Sequence, residues 1–282
     1  MERWIMKGTW NLAVRWVAGA FCLSMVSLAG GSPTWAQSEK RTVFAPDDFR
    51  WQGNLKAGQT MEVINTNGQI DASGANGSEA RAESVRRGGD DDRELFVEVV
   101  EYSDGLTICA VYAKDKAPGR CHRGGVSSES FGGWWGHHAR VNFEVQVPRG
   151  VRFHAMTTNG NIVGRNLNSV VEAATTNGNV EVSTSEWTSA RTTNGGVRVS
   201  MGNAKWDGEL EVKTTNGSVD VTLPASAEFK VKAGTTNGKI QTDFPVTVQG
   251  SLSSKSLSGT IGGGGRELRV VTTNGTIKLV KS

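Results

Sequence analysis

The chain has 282 residues, 36 of them Gly, and its 31 Lys and Arg face 28 Asp and Glu for a formal net charge of +3. That length holds one large β domain or two small ones, and the glycine content suits a turn-rich β architecture. The near-balanced charge, with no Lys/Arg block, excludes an electrostatic case for nucleic-acid binding.

Residues 1–36 have the three-part layout of a secretory signal peptide. Arg3, Lys7 and Arg15 form a basic start, "VAGAFCLSMVSLA" is the apolar run, and "SPTWAQ" supplies a breaker with a small residue at Ala36. Cleavage after Ala36 is expected. The alternative is an uncleaved anchor, but the run is shorter than the ~20 residues that span a bilayer. Phe21 is too bulky to precede a lipidated Cys22, so no lipidation is expected. No later apolar segment is long enough to span, so no transmembrane segment is expected after cleavage. The expected location is extracytoplasmic, either periplasmic or secreted to the cell surface.

Residues 37–150 read as a β-rich N-terminal portion. "TMEVINTNGQIDAS" alternates around Asn67-Gly68, "ELFVEVVEYSDGLTICAVYA" holds two runs with a turn at Asp104-Gly105, and "ARVNFEVQVP" places Val141, Phe143, Val145 and Val147 on one face. Removing the signal leaves two cysteines, Cys109 and Cys121. In an oxidising compartment such a pair is expected to form a disulfide, worth ~3 kcal/mol in the chain-entropy model. Eleven intervening residues do not make a redox C-x-x-C motif. Two Gly-rich loops, "RRGGDDDRE" and "CHRGGVSSESFGGWWGHHA", are polar enough to lie on the surface.

Residues 151–282 carry a repeat. Thr-Thr-Asn-Gly occurs six times, with corners at Asn159-Gly160, Asn177-Gly178, Asn194-Gly195, Asn216-Gly217, Asn237-Gly238 and Asn274-Gly275. The glycines are 18, 17, 22, 21 and 37 residues apart, and "LSGTI" around Gly259 looks like a degenerate copy inside the last gap. Periods near 20 residues indicate a solenoid. Inward alternation changes parity at each corner: Val171, Ala173 and Thr175, then Val180 and Val182. Because alternation has period two, the chain must bend there. One architecture is an antiparallel meander of Asn-Gly hairpins. The other is a β-solenoid, single-stranded and β-helix-like, of ~16–22-residue coils. Strands ~4.8 Å apart would then stack each Asn on the next. The solenoid also accounts for the constant Thr-Thr, and it is the expected fold, all-β and continuous with the N-terminal portion as one domain.

"VNFEVQVPRGVRFHAMTTNGNIVG" and "MEVINTNGQIDASG" resemble the entry and first copy of a bacterial putative-adhesin family. This is a domain of unknown function with a V-P-x-G step followed by T-x-N-G-x-[IV] copies. The resemblance covers about Phe49 to Lys281 and implies a β-solenoid on an exported or envelope protein. It implies no catalytic residue. The chain departs from the pattern at Phe131–His138 and at Ser258, where an Asn is lost.

The residues point to no enzyme. Acidic residues of the repeat (Glu172, Glu181, Asp207, Glu209, Asp220, Asp243) are scattered, without the paired carboxylates of glycoside hydrolysis. Glu181 and Asp220 share a post-corner position, but Arg198 stands there between them. "GGDDDRE" lacks the ligand spacing of a calcium loop. Trp134, Trp135, His137 and His138 are a candidate ligand platform; the other readings are a lid over the open core and a metal site. Catalytic, cofactor and metal residues are therefore assigned as none. The expected role is a non-enzymatic adhesin or envelope-associated scaffold with an envelope, glycan or protein partner. The alternatives are a β-helix carbohydrate-active enzyme and a self-assembling scaffold. The last rests on a chain that ends at "TIKLVKS" directly after its final copy, which leaves an edge for end-to-end self-association.

Overall fold

The computed structural model describes residues 39–47, 49–87, 95–112, 120–127, 139–248 and 253–282. The signal sequence, the Asp90–Asp92 loop, most of the loop between the cysteines, and the platform residues Trp134, Trp135, His137 and His138 lie outside them.

The described chain is all strand and turn, in a 12-stranded sheet, a 10-stranded sheet and a small hairpin. Each repeat copy gives one strand to each large sheet and bends at its Asn-Gly. In the Asn177 coil, Val171–Asn177 lies in the first sheet and Val180–Thr184 in the second. Neighbouring coils pair parallel and in register, with Ala155 beside Ala173 and Val180 beside Val197. Parallel pairing of successive copies rules out the hairpin meander, in which Thr175 would face Val180 across an antiparallel pair.

The order of coils departs from the order of the sequence. The corners stack as Asn67, Asn159, Asn177, Asn194, Asn216, Asn274 and Asn237. The upstream copy with Thr60–Ile64 and Ile70–Gly74 opens the series, although its Asn67 lies 92 residues before Asn159 of the next. The final copy is not at the end. Its strands Glu267–Asn274 and Ile277–Lys281 lie between the Asn216 and Asn237 coils. "LSGTI" is not a coil at all. Ser256–Ile261 runs antiparallel to Phe229–Asn237 and closes that side of the first sheet, followed by the two-residue strand Thr247–Val248. Without Asn at Ser258 it has no amide to add to the corner.

Between the sheets lies one continuous core. Its coil interior is small and regular: Val63, Ala155, Ala173, Ala190, Val212, Val270 and Ala233 occupy one row. Larger groups fill the two ends. Phe44, Phe49 and Phe143 pack edge-on near the first, with ring centroids 5.2 and 6.1 Å apart. Trp206, Phe229 and Phe244 pack near the other at 6.1 and 5.7 Å. Trp206 is fully buried, and its indole Nε1 donates to the Glu267 carbonyl (3.1 Å), satisfying the one polar atom that burial would otherwise penalise.

The strands directly beside the first coil run parallel to it, and antiparallel strands lie outside them. Leu95–Tyr102 and Gly105–Tyr112 form a hairpin around Ser103-Asp104, one residue earlier than the expected turn, with Gly105 at φ +145°. Lys40–Phe44 adds to its outer edge. In the second sheet Arg140–Val147 pairs parallel with Ile70–Gly74 and antiparallel with Glu79–Arg87.

Candidate functional site

The corner edge is built by a division of labour within Thr-Thr-Asn-Gly. The first Thr points inward and is buried, and its hydroxyl donates to the Gly carbonyl of the adjacent coil. Thr175 bonds Gly160 O at 2.9 Å, Thr214 bonds Gly195 O at 2.8 Å, and Thr272 bonds Gly217 O at 2.8 Å. The second Thr faces outward. Each Asn side chain donates its Nδ2 to the Oδ1 of the neighbouring Asn: 159 to 67, 177 to 159, 194 to 177, 216 to 194, 274 to 216 and 237 to 274. These six bonds are 2.7–2.8 Å long, and all point the same way along the stack.

Glycine is required for closeness more than for φ. Gly178, Gly160, Gly217, Gly238 and Gly275 do not have positive φ, whereas Gly68 (+128°) and Gly195 (+150°) do. A Cβ on Gly178 would lie 2.0 Å from Gly160 O, and one on Gly217 would lie 2.0 Å from Gly195 O. Left-handed backbone therefore accounts for the glycine at two corners only. Elsewhere the carbonyl capped by the Thr hydroxyl occupies the space a side chain would need.

The first coil shows the same device with a different residue. Asn65 occupies the position of the inward Thr, is buried, and donates Nδ2 to Val141 O at 2.7 Å. That same carbonyl lies 2.1 Å from a Cβ built on Gly68. A longer side chain is needed because the neighbour here is a strand without a corner. A second amide row follows the glycines. Asn142 Oδ1 accepts from Gln69 N (3.0 Å), Asn161 Oδ1 from Asn179 N (2.8 Å) and Asn179 Oδ1 from Gly196 N (2.8 Å). Sequence reading missed this row, though "TTNGN" at two successive copies was its signal.

Near the Asn67 end the edge opens into a groove of about 700 Å³ lined by Asn67, Gln69, Arg87, Arg140, Asn142 and Asn161 among others. A smaller cleft of about 300 Å³ lies on the outer face of the first sheet. There Glu62, His154 and Glu172 sit side by side on three strands, with His154 Nε2 3.7 Å from Glu172 Oε1. Glu62 is 3% exposed, and its carboxylate accepts from Thr107 Oγ1 (2.8 Å) and Gly124 N (3.0 Å). It is thereby committed to holding the hairpin Arg120–His122/Gly125–Ser127. Of the scattered acids, Asp220 pairs with Arg198 at 3.7 Å on the second sheet. Among the described residues no group of three or more His, Cys, Asp or Glu could hold a metal.

Cys109 and Cys121 are joined in a buried disulfide with Cα atoms 5.7 Å apart. Polar groups clamp it. Glu98 accepts from Cys121 N (2.9 Å), and Arg41 donates to Cys121 O (2.9 Å) and Glu98 (3.0 Å). Bonds to Glu39 and then Glu98 raise the Arg41 pKa, so it holds its proton more firmly. Next to this clamp Arg123 donates both guanidinium arms to Asp104 at 2.8 Å and lies 4.7 Å above the Tyr102 ring. The fork of hydrogen bonds holds the Asp104 carboxyl below its ordinary value.

Residues 141–280 match the family model described as Toastrack DUF4097. The match begins at Val141, inside the stretch that enters the repeat. It therefore leaves out the Asn67 copy, which the structure places first in the same Toastrack-matching stack. Solved structures to which the chain shows some similarity include a protein described as a putative cell adhesion protein from Clostridium sporogenes ATCC 15579. It is 12% identical with a TM-score of 0.43, over 87% of this chain and 100% of that one. Another is described as a putative adhesin from Bacteroides fragilis NCTC 9343, at 11% identity and a TM-score of 0.25 over 83% and 99%. No curated protein matches the chain.

Proposed function

We propose that the chain is an exported, non-enzymatic binding module, adhesin-like or envelope-associated, whose solenoid holds a polar edge and two polar faces in fixed register for a partner. One observation carries this reading. The first Thr, Asn and Gly of the repeat are committed to coil-to-coil contacts, so the repeat is architecture, and recognition falls to the unrepeated residues beside it. The buried disulfide supports an oxidising, extracytoplasmic setting. The test is binding of purified protein to a broad glycan array and to envelope fractions. Reproducible retention by one class supports the reading, and no retention by any refutes it.

Among the described residues, the cleft at Glu62, His154 and Glu172 brings two carboxylates and a histidine together, and the alternative, a carbohydrate-active enzyme, is placed there. Glu62 is buried and already occupied by two donors, which leaves no second free carboxylate opposite Glu172 among the described residues of the cleft. Polysaccharide turnover abolished by Glu172→Gln would overturn the non-enzymatic reading. Self-assembly through free edges is disfavoured by the edges themselves. Lys40–Phe44 and Arg50–Asn54 are short and carry exposed cations, and Ile240–Thr242 and Thr247–Val248 are shorter still.

A further inference from the structure

The Asn ladder has a direction, and its two ends differ. Every Nδ2 donates toward Asn67, whose Oδ1 receives the last bond. Asn67 Nδ2 itself donates to no group among the described residues. Seven aligned amide dipoles, joined by six bonds, therefore end on an unused N–H donor, and hydrogen bonds in such a chain polarise one another. The opposite end, Asn237, finishes on an acceptor.

The groove of about 700 Å³ lies at the donor end, a size within the usual range of small-molecule sites. Its other groups have the same sign. Arg87 and Arg140 are direct cross-strand partners and both are exposed. Like charges directly opposite destabilise a sheet. Among the described residues neither makes an ion pair, and no Asp or Glu lines the groove. The backbone that carries Arg140 is anchored at the ladder's end, because the next residue, Val141, donates its N–H to Asn67 O at 2.9 Å. The amides of the second row add further donors. In Asn142 and Asn161 the oxygen is held by a backbone N–H, which leaves the NH₂ end for the groove. Two guanidinium forks and three amide donors, with no carboxylate opposing them among the described residues, make a surface complementary to an anion that also carries acceptor oxygens.

We propose that this groove binds an acidic saccharide. Its carboxylate would lie on Arg87 and Arg140, and Asn67, Asn142 and Asn161 would donate to the carboxylate or to neighbouring hydroxyl and ring oxygens. Arg forks match the planar carboxylate, and amides are suited to the hydroxyls of a sugar. This deepens the reading of the chain as a binding module by naming a place and a ligand class.

The test is titration of the purified protein with trigalacturonic acid and with maltotriose at low salt, read by calorimetry and by side-chain amide shifts in ¹⁵N spectra. Trigalacturonic acid should bind with a Kd of millimolar or tighter, shift the Asn67, Asn142 and Asn161 amides, and weaken as salt rises. Maltotriose should bind at least tenfold more weakly. The double variant Arg87→Gln/Arg140→Gln should lose at least tenfold in affinity, and because it relieves an opposed like-charge pair it should hold or raise the melting temperature. Asn67→Asp is the sharper variant. It keeps an acceptor for Asn159 Nδ2 and so preserves the ladder, but it replaces the terminal donor with a negative charge and should abolish binding. Absence of trigalacturonate binding, or variants that bind like wild type, overturns the site. If the broader glycan and envelope screen still finds a ligand, the binding-module reading survives that failure.

Discussion

Replacing Gly178 by Ala tests why the corners carry glycine. The added Cβ would sit 2.0 Å from Gly160 O, and real Cβ contacts essentially never fall below 3.0 Å, so the coils must part locally by about 1 Å. Three bonds cross that gap: Thr175 Oγ1 to Gly160 O (2.9 Å), Asn177 Nδ2 to Asn159 Oδ1 (2.8 Å) and Gly160 N to Asn177 O (2.9 Å). Lengthening each by that amount removes it, and at ~0.5–1.5 kcal/mol per bond the loss is about 1.5–4.5 kcal/mol. For a chain of this size each kcal/mol moves Tm by about 2–4 °C, so Tm should fall by about 3 °C or more. Gly234 is the internal control. It lies in a strand of the same stack without positive φ, and a Cβ there would meet nothing within 4 Å. Gly234→Ala should be neutral or stabilise by about 0.4–1 kcal/mol through the unfolded chain. Thermal or urea unfolding of the two variants reads both numbers. If Gly178→Ala melts within a degree of wild type, or if both variants lose equally, close approach is not the reason for the glycines.

Thr214→Val keeps the shape of a side chain only 1% exposed but strips the hydroxyl from Gly195 O. It should cost about 1–3 kcal/mol in urea unfolding. Thr215→Val, on the outward Thr, should stay within about 0.5 kcal/mol. The Asp104–Arg123 pair predicts a pH dependence. Because the folded Asp104 pKa lies below its unfolded value, the pair's contribution is complete above the ordinary carboxylate range. It is lost as pH falls through the folded value. The Tm difference between wild type and Asp104→Asn should therefore be steady near neutrality and shrink below about pH 4. A difference that grows on acidification would contradict the assignment.

Much of the fold can be read from the repeat because the corner changes parity in a local window. Thr175 and Val180 fall inward in the structure as alternation requires, and the bend lies at Asn177-Gly178. Contacts between coils are harder to read. The 2.0 Å approach behind each glycine belongs to two copies at once, and no single copy signals it. Stacking order is hidden for a similar reason. Identical Thr-Thr-Asn-Gly corners fit any neighbour equally well, so nothing local shows that Asn274 enters between Asn216 and Asn237. "LSGTI" misled because Leu257, Gly259 and Ile261 alternate like a coil strand. What it lacks is the Asn that would join it to the ladder. The groove escaped notice because Arg87 and Arg140 are 53 residues apart and meet only through antiparallel pairing.

Coil order is the central claim of this fold, because it decides which corner bonds to which and sets Asn274 between Asn216 and Asn237. Cysteine crosslinking tests it most directly. Thr215 and Thr273 lie on adjacent coils, with Thr273 N donating to Thr215 O at 3.3 Å. Strands in one sheet lie ~4.8 Å apart, inside the range a disulfide can bridge. Thr236 lies two coils from Thr215, at ~9.6 Å by the same spacing, and is out of reach. Under mild oxidation Thr215→Cys/Thr273→Cys should crosslink readily, and Thr215→Cys/Thr236→Cys should not. If the second pair closes and the first does not, the coils stack in sequence order and this account of the fold is wrong.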